Sequence, residues 1–242
     1  MSEEVESTQG GLSTGPMGEA TVARPWWTNL LAAGAIAFAV LLLLYFPDRD
    51  DGSGAMLGGL SALIASMLGL AALAQCRPVP HRTSAEHLRL AILSLGLGVA
   101  FGVANLGANY GMAIANSAIY EQMVARWSQF SPLSAVVKGP IMEEIVFRLG
   151  LLSGLAWLTA RFTDNPRTIF RVAVGVSALT FGIAHIFYGG VAGPTYMTGM
   201  ALKSSIAGLL LGWMFWRWGL PFAIVCHSAA NGIHLLLEPF LF

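Results

Sequence analysis

The sequence predicts an all-α fold, a polytopic membrane helix bundle with about seven transmembrane helices, and three observations predict it. Of its 242 residues, 55% are hydrophobic and only 11% are charged, against roughly 25% charged in a soluble domain. Mean hydropathy is +0.66. Apolar runs of the ~20 residues that a bilayer crossing needs recur along the chain, at 27–46, 54–75, 90–116, 132–160, 172–192, 194–216 and 219–241.

The chain opens on MSEEVESTQGGLSTGPMGEATVAR, residues 1–24, in which Ser, Thr, Gly and Glu leave almost nothing to bury. A disordered tail is expected there. Its acidic start is unlike the basic opening of a signal peptide. Residues 25–242 then form one transmembrane helical domain. Between the third and fourth runs, NSAIYEQMVARWSQFSP mixes aromatic and charged residues. It fits either a short amphipathic helix lying in the membrane interface or a plain loop.

Orientation follows from Lys and Arg, because positively charged loops stay in the cytoplasm. Arg24, Arg77, Arg82, Arg89, Arg161, Arg167, Arg171 and Arg217 fall on one side, Arg49 and Arg126 on the other. That distribution places the N-terminus inside, in what is expected to be a bacterial inner membrane. The two cysteines, Cys76 and Cys226, fall near the cytoplasmic side, where thiols stay reduced. The formal net charge is zero, and no basic patch suggests nucleic acid. The partners expected are the lipid bilayer and a membrane-anchored protein or peptide.

The fourth run contains GPIMEEIVFRLGLL, which places Glu143, Glu144 and Arg148 inside a span. Ionised residues at mid-span cost roughly 2.5 to 3.5 kcal/mol each, on the order of 8 to 10 for three independent ones. Glu144 and Arg148 stand four apart in the favourable order and can pair. Glu143 points about 100° away from Glu144 on an α-helix and is left without a local cation. A buried ionic knot that only fixes packing is the plainer reading. Intramembrane ionisable residues more often mark a pathway or a reaction site.

Further polar groups lie on two other runs. FGIAHIFYGG carries Phe181 and His185, while CHSAANGIHLLLEPF carries His227, Asn231 and His234 at i, i+4, i+7, one stripe down an apolar helix. His81 and His87 lie in the basic linker and are expected to be solvated. A fifth span ending at Tyr188 would leave His185 about 5 Å from the membrane edge while Glu143 lies about 17 Å deep. For the two to meet, the helix must run to about Val191, with GGVAGP as a buried turn.

Read in order, Glu143-Glu144-x-x-x-Arg148, Phe181-x-x-x-His185 and His227-x-x-x-Asn231 resemble the three motifs of the CPBP intramembrane proteases, which include the type II CAAX prenyl endopeptidases and bacteriocin-immunity proteins. The likeness covers about 132–241 and implies peptide-bond hydrolysis within or at the membrane. It implies Glu143 as the base that activates water, His185 and His227 as its helpers, and Asn231 as an oxyanion donor. Glu144 and Arg148 would support them. No cofactor is implied. The residues themselves also fit zinc held by Glu143, His185 and His227 with water as fourth ligand, although no HExxH is present. A proton-coupled transporter would use Glu and His in spans too, and a non-catalytic scaffold or immunity protein could retain the pocket for binding.

Overall fold

The computed structural model describes residues 82–115, 131–189 and 193–241, together with 118 and 121. Among these every regular element is helical: α1 (Ser84–Ala115), a composite α2 (134–159), α3 (Pro166–Gly189), α4 (Pro194–Trp218) and α5 (Leu220–Leu241). Four of them, over Ser84–Met112, Pro166–Ile186, Tyr196–Trp218 and Leu220–Glu238, are long and apolar enough to cross a membrane. The all-helical reading holds. The count of seven is not confirmed, because the runs at 27–46 and 54–75 lie outside the described residues, as do the tail, Cys76 and most of the linker ending at Pro132.

Helix ends follow local chemistry rather than the apolar runs. α1 begins at Ser84, ahead of the run at 90, because Thr83 and Glu86 form a capping box. The Thr83 N–H donates to Glu86 Oε2 at 2.8 Å, and the Glu86 N–H donates to Thr83 Oγ1 at 3.3 Å. α3 likewise begins at Pro166, ahead of 172, where the ring suits the first helical position and Asn165 Oδ1 accepts the N–H groups of Arg167 at 3.0 Å and Thr168 at 3.4 Å. Gly219, with φ +108°, breaks α4 from α5. The Arg82 guanidinium donates to the terminal carbonyls of Trp218 and Arg217, fastening the start of α1 to the end of α4.

Small residues let the helices approach closely, as membrane bundles require where burial from water contributes little. A Cβ at Gly208 would lie 2.7 Å from Ala178 Cα, so α3 and α4 touch backbone to backbone; one at Gly102 would lie 2.8 Å from the Ala230 carbonyl, joining α1 to α5. Around these contacts Leu152, Ala173, Met214, Phe215 and Ala223 form a buried core. Leu88, Ile92, Val103, Leu179, Leu202 and Leu236 are exposed. An outward apolar face of that kind suits lipid.

α2 is the central element, with every residue from Phe147 to Gly154 buried. It is not a plain α-helix. Ser134–Lys138 and Ile145–Leu152 are π-helical, flanking α-helical Gly139–Glu144 and leading into α-helical Ser153–Thr159. Widened turns of this kind are rare and frequently accompany functional sites. Side chains hold the second one in place: Ser177 Oγ donates to the Phe147 carbonyl at 2.8 Å and Ser153 Oγ to that of Arg148 at 3.2 Å.

Candidate active site

Glu144 and Arg148 sit on consecutive turns of α2, and both are fully buried. Their ion pair forms as the spacing predicts, with Arg148 Nε 3.1 Å from Glu144 Oε2. The guanidinium also lies 4.4 Å from the centre of the Phe181 ring and 5.9 Å from that of Phe147, which adds cation–π attraction in desolvated surroundings. The other Glu144 oxygen faces α5, where Oε1 lies 2.9 Å from His227 Nδ1. A carboxylate paired with arginine accepts, so this ring nitrogen carries the proton and donates it. The tautomer is thereby fixed, and His227 Nε2 is left with its lone pair.

His185 reaches the same condition by another route. Its Nδ1 lies 2.8 Å from the Phe181 carbonyl one turn back on α3. A carbonyl only accepts, so Nδ1 is the donor and Nε2 again holds the lone pair. The Phe181 ring packs against the imidazole with centroids 4.3 Å apart, and Phe147 meets Phe181 edge-on at 4.9 Å.

Both Nε2 atoms converge on the remaining carboxylate. Glu143 Oε2 lies 3.7 Å from His185 Nε2 and 3.7 Å from His227 Nε2. It has no direct hydrogen-bond partner among the described residues. The Glu143 side chain is 26% exposed, against none for Glu144. The depth mismatch between Glu143 and His185 is therefore overcome. α3 runs past Tyr188 to Gly189, and of the expected turn GGVAGP, 189–194, residues 190–192 lie outside the described residues.

Asn231, one turn beyond His227, lies on the α2 side of α5, and its Nδ2 donates to the Ala135 carbonyl at 2.9 Å. The second N–H of that amide remains for another acceptor. His234 is buried two turns beyond His227, away from the Glu143 convergence. Cys226 is a buried free thiol packed in the core. Glu143, His185 and His227 are the trio that the sequence offers as metal ligands, and among the described residues no group of three or more His, Cys, Asp or Glu side chains is arranged to hold a metal ion.

Two aspects of this site were not legible in the motifs. The double role of Glu144, as counter-ion to Arg148 and as acceptor for His227, depends on a pairing across 83 positions. The π-helical turn under Phe147 and Arg148 has no sequence signature that we can identify. Its one sequence-level trace is Ser177, a hydroxyl on an apolar helix with a backbone carbonyl to satisfy.

Residues 125–233 match the family described as Type II CAAX prenyl endopeptidase Rce1-like. That segment is similar to this family. The match spans somewhat less than half of the chain and takes in α2, α3, α4 and the part of α5 that carries His227 and Asn231. No curated protein and no solved structure matches the chain. The likeness of this segment to a membrane protease family and the four helices long and apolar enough to cross a membrane fit an integral membrane protein.

Proposed function

We propose that the chain is an intramembrane endopeptidase that hydrolyses a peptide bond of a membrane-anchored protein or peptide by a water activated at Glu143. The observation that carries this reading is the convergence of one buried oxygen of the partly exposed Glu143 side chain with two imidazole Nε2 atoms, each 3.7 Å away. At that spacing one water can bridge the carboxylate and a ring nitrogen, which is the reach a general base needs. The water oxygen adds to the scissile carbonyl carbon while its proton passes to Glu143, giving a tetrahedral oxyanion. The C–N bond then breaks as the proton is handed to the departing amine, leaving a carboxylic acid and an amine.

His227 and His185 hold the water as neutral rings, each with its tautomer set by the acceptor behind Nδ1. The spare N–H of Asn231 is the donor for the oxyanion, a contact of the type that lowers acyl-transfer barriers by a few kcal/mol. Glu144 and Arg148 act through His227 rather than on the substrate. The protease-like core is 132–241, and the inner bacterial membrane with a cytoplasmic N-terminus is the location that the basic loops favour. The substrate class is an anchored polypeptide. Purified full-length protein and its Glu143→Gln variant, compared on membrane-anchored peptide libraries by mass spectrometry, test this reading. Identical cleavage by both would overturn it.

A further inference from the structure

Beyond the site described, a second set of polar side chains lies inside the bundle where α1, α4 and α5 meet. Lys203 of α4 donates its ammonium to Asn109 Oδ1 of α1. Glu238 and His234, the other titratable side chains of the cluster, stand one turn apart on α5. Asn109 is 1% exposed. Its Nδ2, the Oδ1 of Asn105 one turn earlier and the Oε1 of Glu238 are buried without a hydrogen-bond partner among the described residues. A lysine forms three hydrogen bonds, and Asn109 accounts for one.

An apolar bundle has no reason to keep such groups dry. Each buried donor or acceptor left unmade costs about 1 to 3 kcal/mol, and an ammonium within a span costs more. The unmet groups are mixed in kind, with a donor on Asn109 and acceptors on Asn105 and Glu238. That composition suits water, which donates and accepts and which occupies polar sites offering two to four partners. An anion would be opposed by Glu238 and a cation by Lys203.

We propose that this cluster encloses a hydrated chamber, continuous along the α5 face that bears His227, Asn231, His234 and Glu238, and that it supplies the water consumed at Glu143. The second half rests on the hydrolytic reading above. A peptide lying against Glu143 and His185 covers the opening that exposes them, so each turnover needs water from another side. The α5 stripe joins the two polar regions, with His227 at one end 3.7 Å from Glu143 and Glu238 at the other.

The test uses the full-length protein in lipid vesicles, in a Cys76→Ala/Cys226→Ala background. Asn105→Cys and Asn109→Cys are treated with 2-hydroxyethyl methanethiosulfonate, with Val103→Cys on the exposed face of α1 as the lipid-side control. Only the thiolate reacts, so thiols in water should be modified at least about tenfold faster than the control. Equal rates at all three would overturn the chamber. The same labelling in a Glu143→Gln background needs no activity, so it separates failure of the chamber from failure of the protease reading. A Lys203→Met/Asn109→Leu/Glu238→Leu variant removes the polar partners together. It should abolish fast labelling of Asn105→Cys and lower kcat about tenfold with KM unchanged. Persistent fast labelling, or full kcat in the dry variant, would overturn the supply role.

Discussion

Glu144 Oε1 accepts the Nδ1–H of His227 across 2.9 Å, a hydrogen bond that joins α2 to α5 inside the bundle. Because the other oxygen of the same carboxylate is paired with Arg148, one buried anion both compensates a cation and orients an imidazole. The two adjacent glutamates thereby divide their work. Glu143 keeps an oxygen unbonded among ring nitrogens, while Glu144 has none of its surface exposed.

Removing Arg148 leaves Glu144 buried without a compensating charge, which typically costs 3 to 5 kcal/mol. Arg148→Ala should lower the melting temperature in detergent well below that of the parent. Glu144→Leu/Arg148→Met removes both charges and should recover much of that loss. Activity should stay low in the double variant, since His227 Nδ1 then lacks its acceptor. Recovery of both stability and kcat would show that the pair has no orienting role.

Glu143→Gln keeps the side-chain shape and removes the base. The rate should fall about 100-fold or more, the usual share of general-base catalysis, while folding and melting stay close to the parent because Glu143 is not part of the buried pair. A non-catalytic scaffold would be indifferent in its binding assay. A variant that melts early would show instead that Glu143 is structural.

The helices were legible because their signal is additive. Long apolar runs and a few charges locate α1 to α5, and i, i+4 spacing alone foretold the Glu144–Arg148 pair. Helix starts were less legible, since Thr83–Glu86 and Asn165–Pro166 act through caps that precede the apolar runs. The convergence of Glu143 with His185 and His227 was an expectation from motif order. Its geometry depends on helix stagger and on the π-helical turn at Ile145–Leu152, which arise from tertiary contacts such as Ser177 with Phe147. No single-segment pattern encodes them.

The α3–α4 contact offers a test of packing that is independent of catalysis. Gly208→Val places a branched side chain where even a Cβ would stand 2.7 Å from Ala178 Cα, and overpacking of this sort costs about 1 to 3 kcal/mol or more. Gly175 of α3 has nothing within 4 Å of its would-be Cβ. Gly175→Ala should therefore be neutral or stabilising by up to about 1 kcal/mol, the helix-propensity difference. Thermal melting of both variants should show opposite signs. A tolerated Gly208→Val would mean that α3 and α4 are free to separate there.

Metal dependence is the branch of the mechanism on which the residues themselves are ambiguous. A zinc site draws its ligands to about 2.0 to 2.2 Å from the ion, and Glu143, His185 and His227 are a trio that could be gathered in this way. The metal-free reading assigns the same atoms to one bridging water, held by two neutral rings whose Nδ1 protons are already committed to Phe181 and Glu144. The two readings predict different responses. With the purified, active protein, incubation with EDTA or 1,10-phenanthroline followed by desalting should leave the hydrolysis rate unchanged, and added zinc should not raise it. His185→Gln and His227→Gln should each lower kcat without changing the metal content measured by mass spectrometry. Loss of activity on chelation that returns only with zinc would reassign Glu143, His185 and His227 as ligands, with the attacking water on the metal and Asn231 outside its first shell.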